Sequence, residues 1–183
     1  MRLAVPLALC AALALTACGS REEAEPAPQT ETPQAYETQA AVETGNAQAF
    51  IDRIASAELF NVEAGKAAIE LGSSPEVKTY AELMGHNRAN STDALREAVA
   101  QGADGLTVTP ALSTEQQARL ERLRNSGGNF DQVYAMQQAE ALRQTLDTLR
   151  AYAVGGDDPA LRKYASATAL KVERHLETAK ELR

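Results

Sequence analysis

Four long stretches of this 183-residue chain repeat apolar side chains every three to four residues, and each is bounded by residues that start or stop a helix. That pairing of period with punctuation leaves little besides a packing of α-helices. The first stretch runs from about Asn46 to Leu71 and stops at Gly72, read as a glycine just past a helix end. Ser74 and Pro75 supply an N-cap and a first-turn proline, and a second helix is expected from Pro75 to about Gln101. Gly102 and Gly105 interrupt the pattern. Ser113-Thr114-Glu115-Gln116 has the form of a capping box, opening a shorter helix to about Arg124 that Asn125-Ser126-Gly127-Gly128 ends. A third long helix is expected from roughly Asn129 to Val154, closed by Gly155-Gly156, and a fourth from Asp158-Pro159 to the C-terminus.

Each long segment carries a stripe that can be buried only against the others. The first presents Phe50, Ile54, Ala57, Ala64, Ala68 and Leu71; the second Val77, Tyr80, Ala81, Met84, Leu95 and Val99. The third presents Phe130, Tyr134, Leu142, Leu149 and Tyr152; the fourth Leu161, Ala165, Val172, Leu176 and Ala179. With almost no β-branched alternation, these stripes predict an all-α fold, a four-helix bundle. Connection lengths set its topology. The first two helices are joined by three residues and the last two by a few more, so each pair is an antiparallel hairpin. About 27 residues separate the pairs, enough to travel the ~38 Å length of a 25-residue helix with a short helix on the way. The expectation is therefore a ferritin-like bundle with a long crossover, containing a short extra helix, between its second and third long helices.

One polar residue falls within each stripe: Asn61, Arg88, Gln138 and His175. If the crossover exists, their heights along the bundle are about 22, 20, 25 and 25 Å, a single layer, whereas a plain up-and-down bundle drops the second pair to about 13 Å. Glu58 lies one turn from Asn61 at nearly the height of Arg88. A buried guanidinium needs a counter-charge, so a Glu58–Arg88 ion pair is expected. His86 points away from its stripe and reads as a surface residue.

The N-terminus reads as an address. Met1-Arg2 carries one positive charge, and the apolar run Leu3 to Leu15, about 13 residues, is shorter than a membrane-spanning helix requires. Leu15-Thr16-Ala17-Cys18-Gly19 resembles the lipobox of bacterial lipoproteins. That resemblance implies removal of residues 1–17, acylation of Cys18 and, since Gly rather than Asp follows, sorting to the periplasmic face of the outer membrane. Two or more acyl chains make a stable anchor. Cys10 leaves with the signal peptide, so no internal disulfide is available. Residues 18–45 then form an acidic, proline-containing tether, with six glutamates against Arg21. Its reach is roughly 30 Å. Residues 46–183 form one domain.

The run Val77-Lys78-x-Tyr80-Ala81-x-x-Met84, Phe130-Asp131-x-x-Tyr134 with Gln138, and His175-Leu176-x-x-Ala179-Lys180, with Phe50 and Ile54, resemble a ferritin-like periplasmic family, domain of unknown function 4142. The resemblance spans about residues 46–182 and implies no established reaction. Its usual pattern places Glu, Asp-His, His and His on successive helices; here Asn61, Asn87-Arg88 and Leu142 replace the first three, and His175 alone matches.

These readings bound the function. The net charge of −7 becomes more negative when Arg2 is removed, and no basic cluster with interleaved aromatics relieves it, so nucleic acid is not an expected partner. A dimetal site needs converging carboxylates and histidines, whereas this layer offers one histidine, two amides and a guanidinium, which repels cations. No catalytic residue, metal site or cofactor is expected. The expected partners are the lipid membrane, through acylated Cys18, and an unidentified envelope protein or small ligand. The expected role is a membrane-tethered, non-enzymatic envelope module. The alternatives are a ferritin-like metal-binding protein or oxidoreductase, and a small-ligand carrier.

Overall fold

The computed structural model describes residues 45–102 and 104–182; the side chains of residues 87–90 lie outside that description. Every regular element among the described residues is helical: α1 (Ala47–Leu71), α2 (Pro75–Gln101), α3 (Thr114–Arg124), a 3-10 turn (Gly127–Asn129), α4 (Phe130–Gly155) and α5 (Pro159–Glu181). None of these helices is long and apolar enough to cross a membrane.

The starts of four helices follow from side chains that satisfy otherwise orphaned N–H groups. Asn46 accepts from the Ala49 N–H at 2.9 Å and Asp158 from the Leu161 N–H at 2.9 Å. Ser74 accepts from the Val77 N–H, with Pro75 at the first helical position. Ser113 and Gln116 close a reciprocal capping box, at 3.1 and 2.9 Å. Gly72 stops α1 for a different reason from the one the sequence suggests. Its φ of −63° is not left-handed. A Cβ there would lie 2.5 Å from the Ala68 carbonyl oxygen and 3.2 Å from an Asp131 carboxylate oxygen, so close approach demands the glycine.

α1 lies beside α2 and α4, and α5 lies beside the same two helices. The Phe50 ring near the start of α1 stacks on Tyr152 near the end of α4, centroids 4.0 Å apart, while Asp131 at the start of α4 reaches the turn after α1. α1 and α4 therefore run antiparallel. Near the start of α2, the Tyr80 hydroxyl donates to the His175 carbonyl late in α5, at 3.3 Å, so that pair is antiparallel too. α2 ends against Asp158, at the end of the molecule where α1 begins. The segment from Gly102 to Asn129 must then travel back along the long helices.

It does so in the seam between α1 and α4. Gln48 holds the outgoing strand by accepting from the Thr107 N–H (3.0 Å) and donating to the Thr107 carbonyl (2.9 Å). α3 then runs parallel to α1. Ser56 donates to Gln116 at 2.6 Å, the Arg119 guanidinium sits 5.0 Å above the Phe60 ring, and Arg124 pairs with Glu63 at 3.7 Å. On the other side, Arg119 and Gln137 exchange side chain-to-carbonyl hydrogen bonds, both 3.1 Å. Leu120 and Leu123 complete the burial.

The core is largely the four stripes, with Ala57 and Val99 only partly buried and Leu146 and Tyr164 added to it. Leu71 is 43% exposed, because α1 ends before it meets a neighbour. Ile51 and Phe60, outside the expected stripe, are fully buried. α1 packs on three partners rather than two, and the buried arc widens accordingly.

Candidate functional site

The polar residues of the interior divide by helix. Glu58 is buried, and its carboxylate accepts hydrogen bonds from the Ser91 hydroxyl and, at 2.7 Å, from the Thr92 hydroxyl, both on α2. Neither hydroxyl was singled out by the sequence pattern. Folding the hairpin about its turn puts position 88 level with Glu58, so Ser91 and Thr92 lie about one turn further along α2. The expected Glu58–Arg88 ion pair cannot be placed, since the Arg88 side chain lies outside the described residues.

Asn61 and Gln138 are both buried, and among the described residues neither amide has a hydrogen-bond partner at its nitrogen or its oxygen. The Glu58–Ser91 contact and the approach of Gly65 to the Ala81 carbonyl oxygen bracket the α1–α2 register and put Asn61 between the levels of positions 85 and 88. The Phe50–Tyr152 and Ser73–Asp131 contacts set that of α1 and α4, putting Asn61 about one turn from Gln138. His175 on α5 is half-buried, and His86 is exposed. Among the described residues, no three His, Cys, Asp or Glu side chains converge as metal ligands would. Cys18 and the tether lie outside the described residues.

At the end of the molecule where α1 begins, Tyr152 organises the α4–α5 turn. Its hydroxyl donates to Asp157 at 2.8 Å and accepts from the Asp158 N–H at 3.3 Å. Burial, followed by the Asp157 hydrogen bond, pushes its phenol up to about 12.

A concavity opens on the outer face, where α3 covers only part of the seam between α1 and α4. It is a groove of about 1070 Å3. Phe50, Ile54, Ala57 and Phe60 of α1 meet Ala141 and Tyr152 of α4 along its floor. Arg53, Arg119 and Arg143 rise from its walls with Glu115, Glu140 and Asp147. Arg143 binds Glu140 at 2.9 Å and Asp147 at 3.1 Å, and its hydrogen bonds hold the Glu140 carboxyl below the usual carboxylate range. Arg53 and Arg119 have no ion-pair partner among the described residues. Burial lowers the Arg119 pKa, against the opposing pull of Glu115 and Glu140. The groove was not legible in the sequence, because it exists only where α3 docks on two other helices.

These features define a class: an all-helical domain with an amide- and hydroxyl-rich interior and an external groove. The chain belongs to the family described as domain of unknown function DUF4142, whose pattern matches residues 30–182. No curated protein and no solved structure matches it.

Proposed function

We propose that this chain is a bacterial envelope lipoprotein, acylated at Cys18, whose helical domain is a ferritin-like four-helix bundle acting as a non-enzymatic binding or structural module. Antiparallel neighbours around α1, α2, α5 and α4, with the long connection between α2 and α4, support the ferritin-like topology. The lipobox-like stretch ending in Cys18-Gly19 supports the anchor.

The interior carries the non-enzymatic part of this reading. Asn61 and Gln138 are amides, which neither take up nor release protons near neutral pH. Glu58 is engaged by two hydroxyls rather than poised against a histidine or a second carboxylate. A ferritin-like dimetal ligand set requires such partners. Elemental analysis of protein purified from membranes tests this reading. The expected result is no stoichiometric iron, manganese or zinc; one of these metals in stoichiometric amount, lost on His175→Ala, would replace the proposal with the metal-binding alternative.

A further inference from the structure

α3 is held to the molecule more lightly than its neighbours are. Of its 11 residues only Leu120 and Leu123 are buried, against seven or more on each of α1, α4 and α5. Its other attachments are polar: the Ser56–Gln116 hydrogen bond, the Arg124–Glu63 pair at 3.7 Å, and the exposed Gln48–Thr107 bonds on the connection that leads to it. Gly105 and Gly127, one on either side of α3, have φ of +86° and +55°, and a Cβ at either would meet nothing within 4 Å. The chain can pivot at both without displacing packed side chains.

What α3 covers is the level of the two interior amides. The Arg119 guanidinium lies 5.0 Å above the Phe60 ring and donates to the Gln137 carbonyl, while the Gln137 side chain donates back to the Arg119 carbonyl. Phe60 and Gln137 are the chain neighbours of Asn61 and Gln138, whose buried amides have no hydrogen-bond partner among the described residues. Closure carries costs of its own. It withdraws the Arg119 charge from water, and it leaves the Gln137 side-chain oxygen buried with no partner among the described residues. A segment with little apolar burial and such costs opens before the helices around it.

We propose that α3 is a lid on this amide layer, latched by Arg119, which opens as a unit about Gly105 and Gly127 while the four long helices stay folded, and so admits water to Asn61 and Gln138. The proposal goes beyond the envelope-module reading and stands whether or not Cys18 is acylated.

The test is native-state hydrogen exchange, followed by NMR, on the full chain lacking its signal peptide. The backbone amides of α3 are expected to share one opening equilibrium and to exchange about a hundredfold or more faster than the slowest amides of α1, α2, α4 and α5. The side-chain amide protons of Asn61 and Gln138 should exchange through that same opening. Arg119→Met, which keeps an apolar stem, should speed α3 and both side-chain amides about tenfold, with the long helices and the circular dichroism unchanged. Arg96→Gln on the surface of α2 should alter none of these rates. Protection of α3 equal to that of the long helices, or an α3 that does not respond to Arg119→Met, would overturn the proposal. So would side-chain amides that stay protected when α3 responds, or an acceleration that spreads through the whole molecule.

Discussion

Tyr152 concentrates several constraints at a single residue. Its ring stacks on Phe50, its hydroxyl spans Asp157 and Asp158, and Gly156 lies so close that a Cβ there would sit 2.4 Å from the ring. The ring cannot retreat without leaving Phe50. Gly156→Ala is therefore expected to cost about 1–3 kcal/mol, read as a lowered urea midpoint with the helical content retained. The phenol, raised from 10.0 to about 12, sets an alkaline limit. Below pH 10 it is neutral folded and unfolded; between pH 10 and 12 the unfolded chain ionises first, so stability falls across that window. Tyr152→Phe should flatten that fall by one proton's worth of slope in stability-against-pH measurements. Gln138 tests the interior. Its amide is fully buried and has no partner among the described residues, so Gln138→Met, which keeps the volume, is expected to raise stability by about 1 kcal/mol in urea unfolding. A marked loss instead would mean that the amide has a partner in solution.

Between elements, Asp131 shows how one side chain fixes a topology. From the first turn of α4, its carboxylate accepts from the Ser73 N–H (3.1 Å) and the Ser74 N–H (2.8 Å), tying α4 to the turn between α1 and α2. Asp131→Ala is expected to cost about 1–2 kcal/mol in urea denaturation, with the far end of the molecule unchanged by amide NMR. Helix ends were legible in the sequence, because caps are local: Ser74, Ser113 and Asp158 announce α2, α3 and α5 within four residues. What depends on a third helix was not legible. The stripe on α1 gave Phe50 and Ile54 but not Phe60, whose burial needs Arg119 of α3 above it. Leu71 fits the periodicity yet is exposed, since period alone does not say where a neighbour ends. Of the polar residues nominated from sequence, Glu58, Asn61 and Gln138 are buried, His175 is half-buried and the Arg88 side chain lies outside the described residues; the groove was not legible.

For the whole molecule, sequence and fold carry different halves of the account. The described residues hold an interior of two amides and two engaged carboxylates, Glu58 and Asp158, together with a groove on the outside; in the proposed reading the address lies in the first eighteen residues. The proposed tether and anchor suit a protein that works near a membrane rather than within it, and the net charge of −7 discourages contact with anionic surfaces other than through such an anchor. Cys18→Ser should therefore move the protein from the membrane pellet to the soluble fraction while leaving its helical circular dichroism unchanged. The central claim, that the chain is a lipid-anchored helical module, is tested most directly by mass spectrometry of the N-terminal peptide of protein extracted from membranes. The account predicts a peptide that begins at Cys18 and carries diacylglycerol on sulfur; an unmodified Cys18, or a mature chain still carrying residues 1–17, would contradict it.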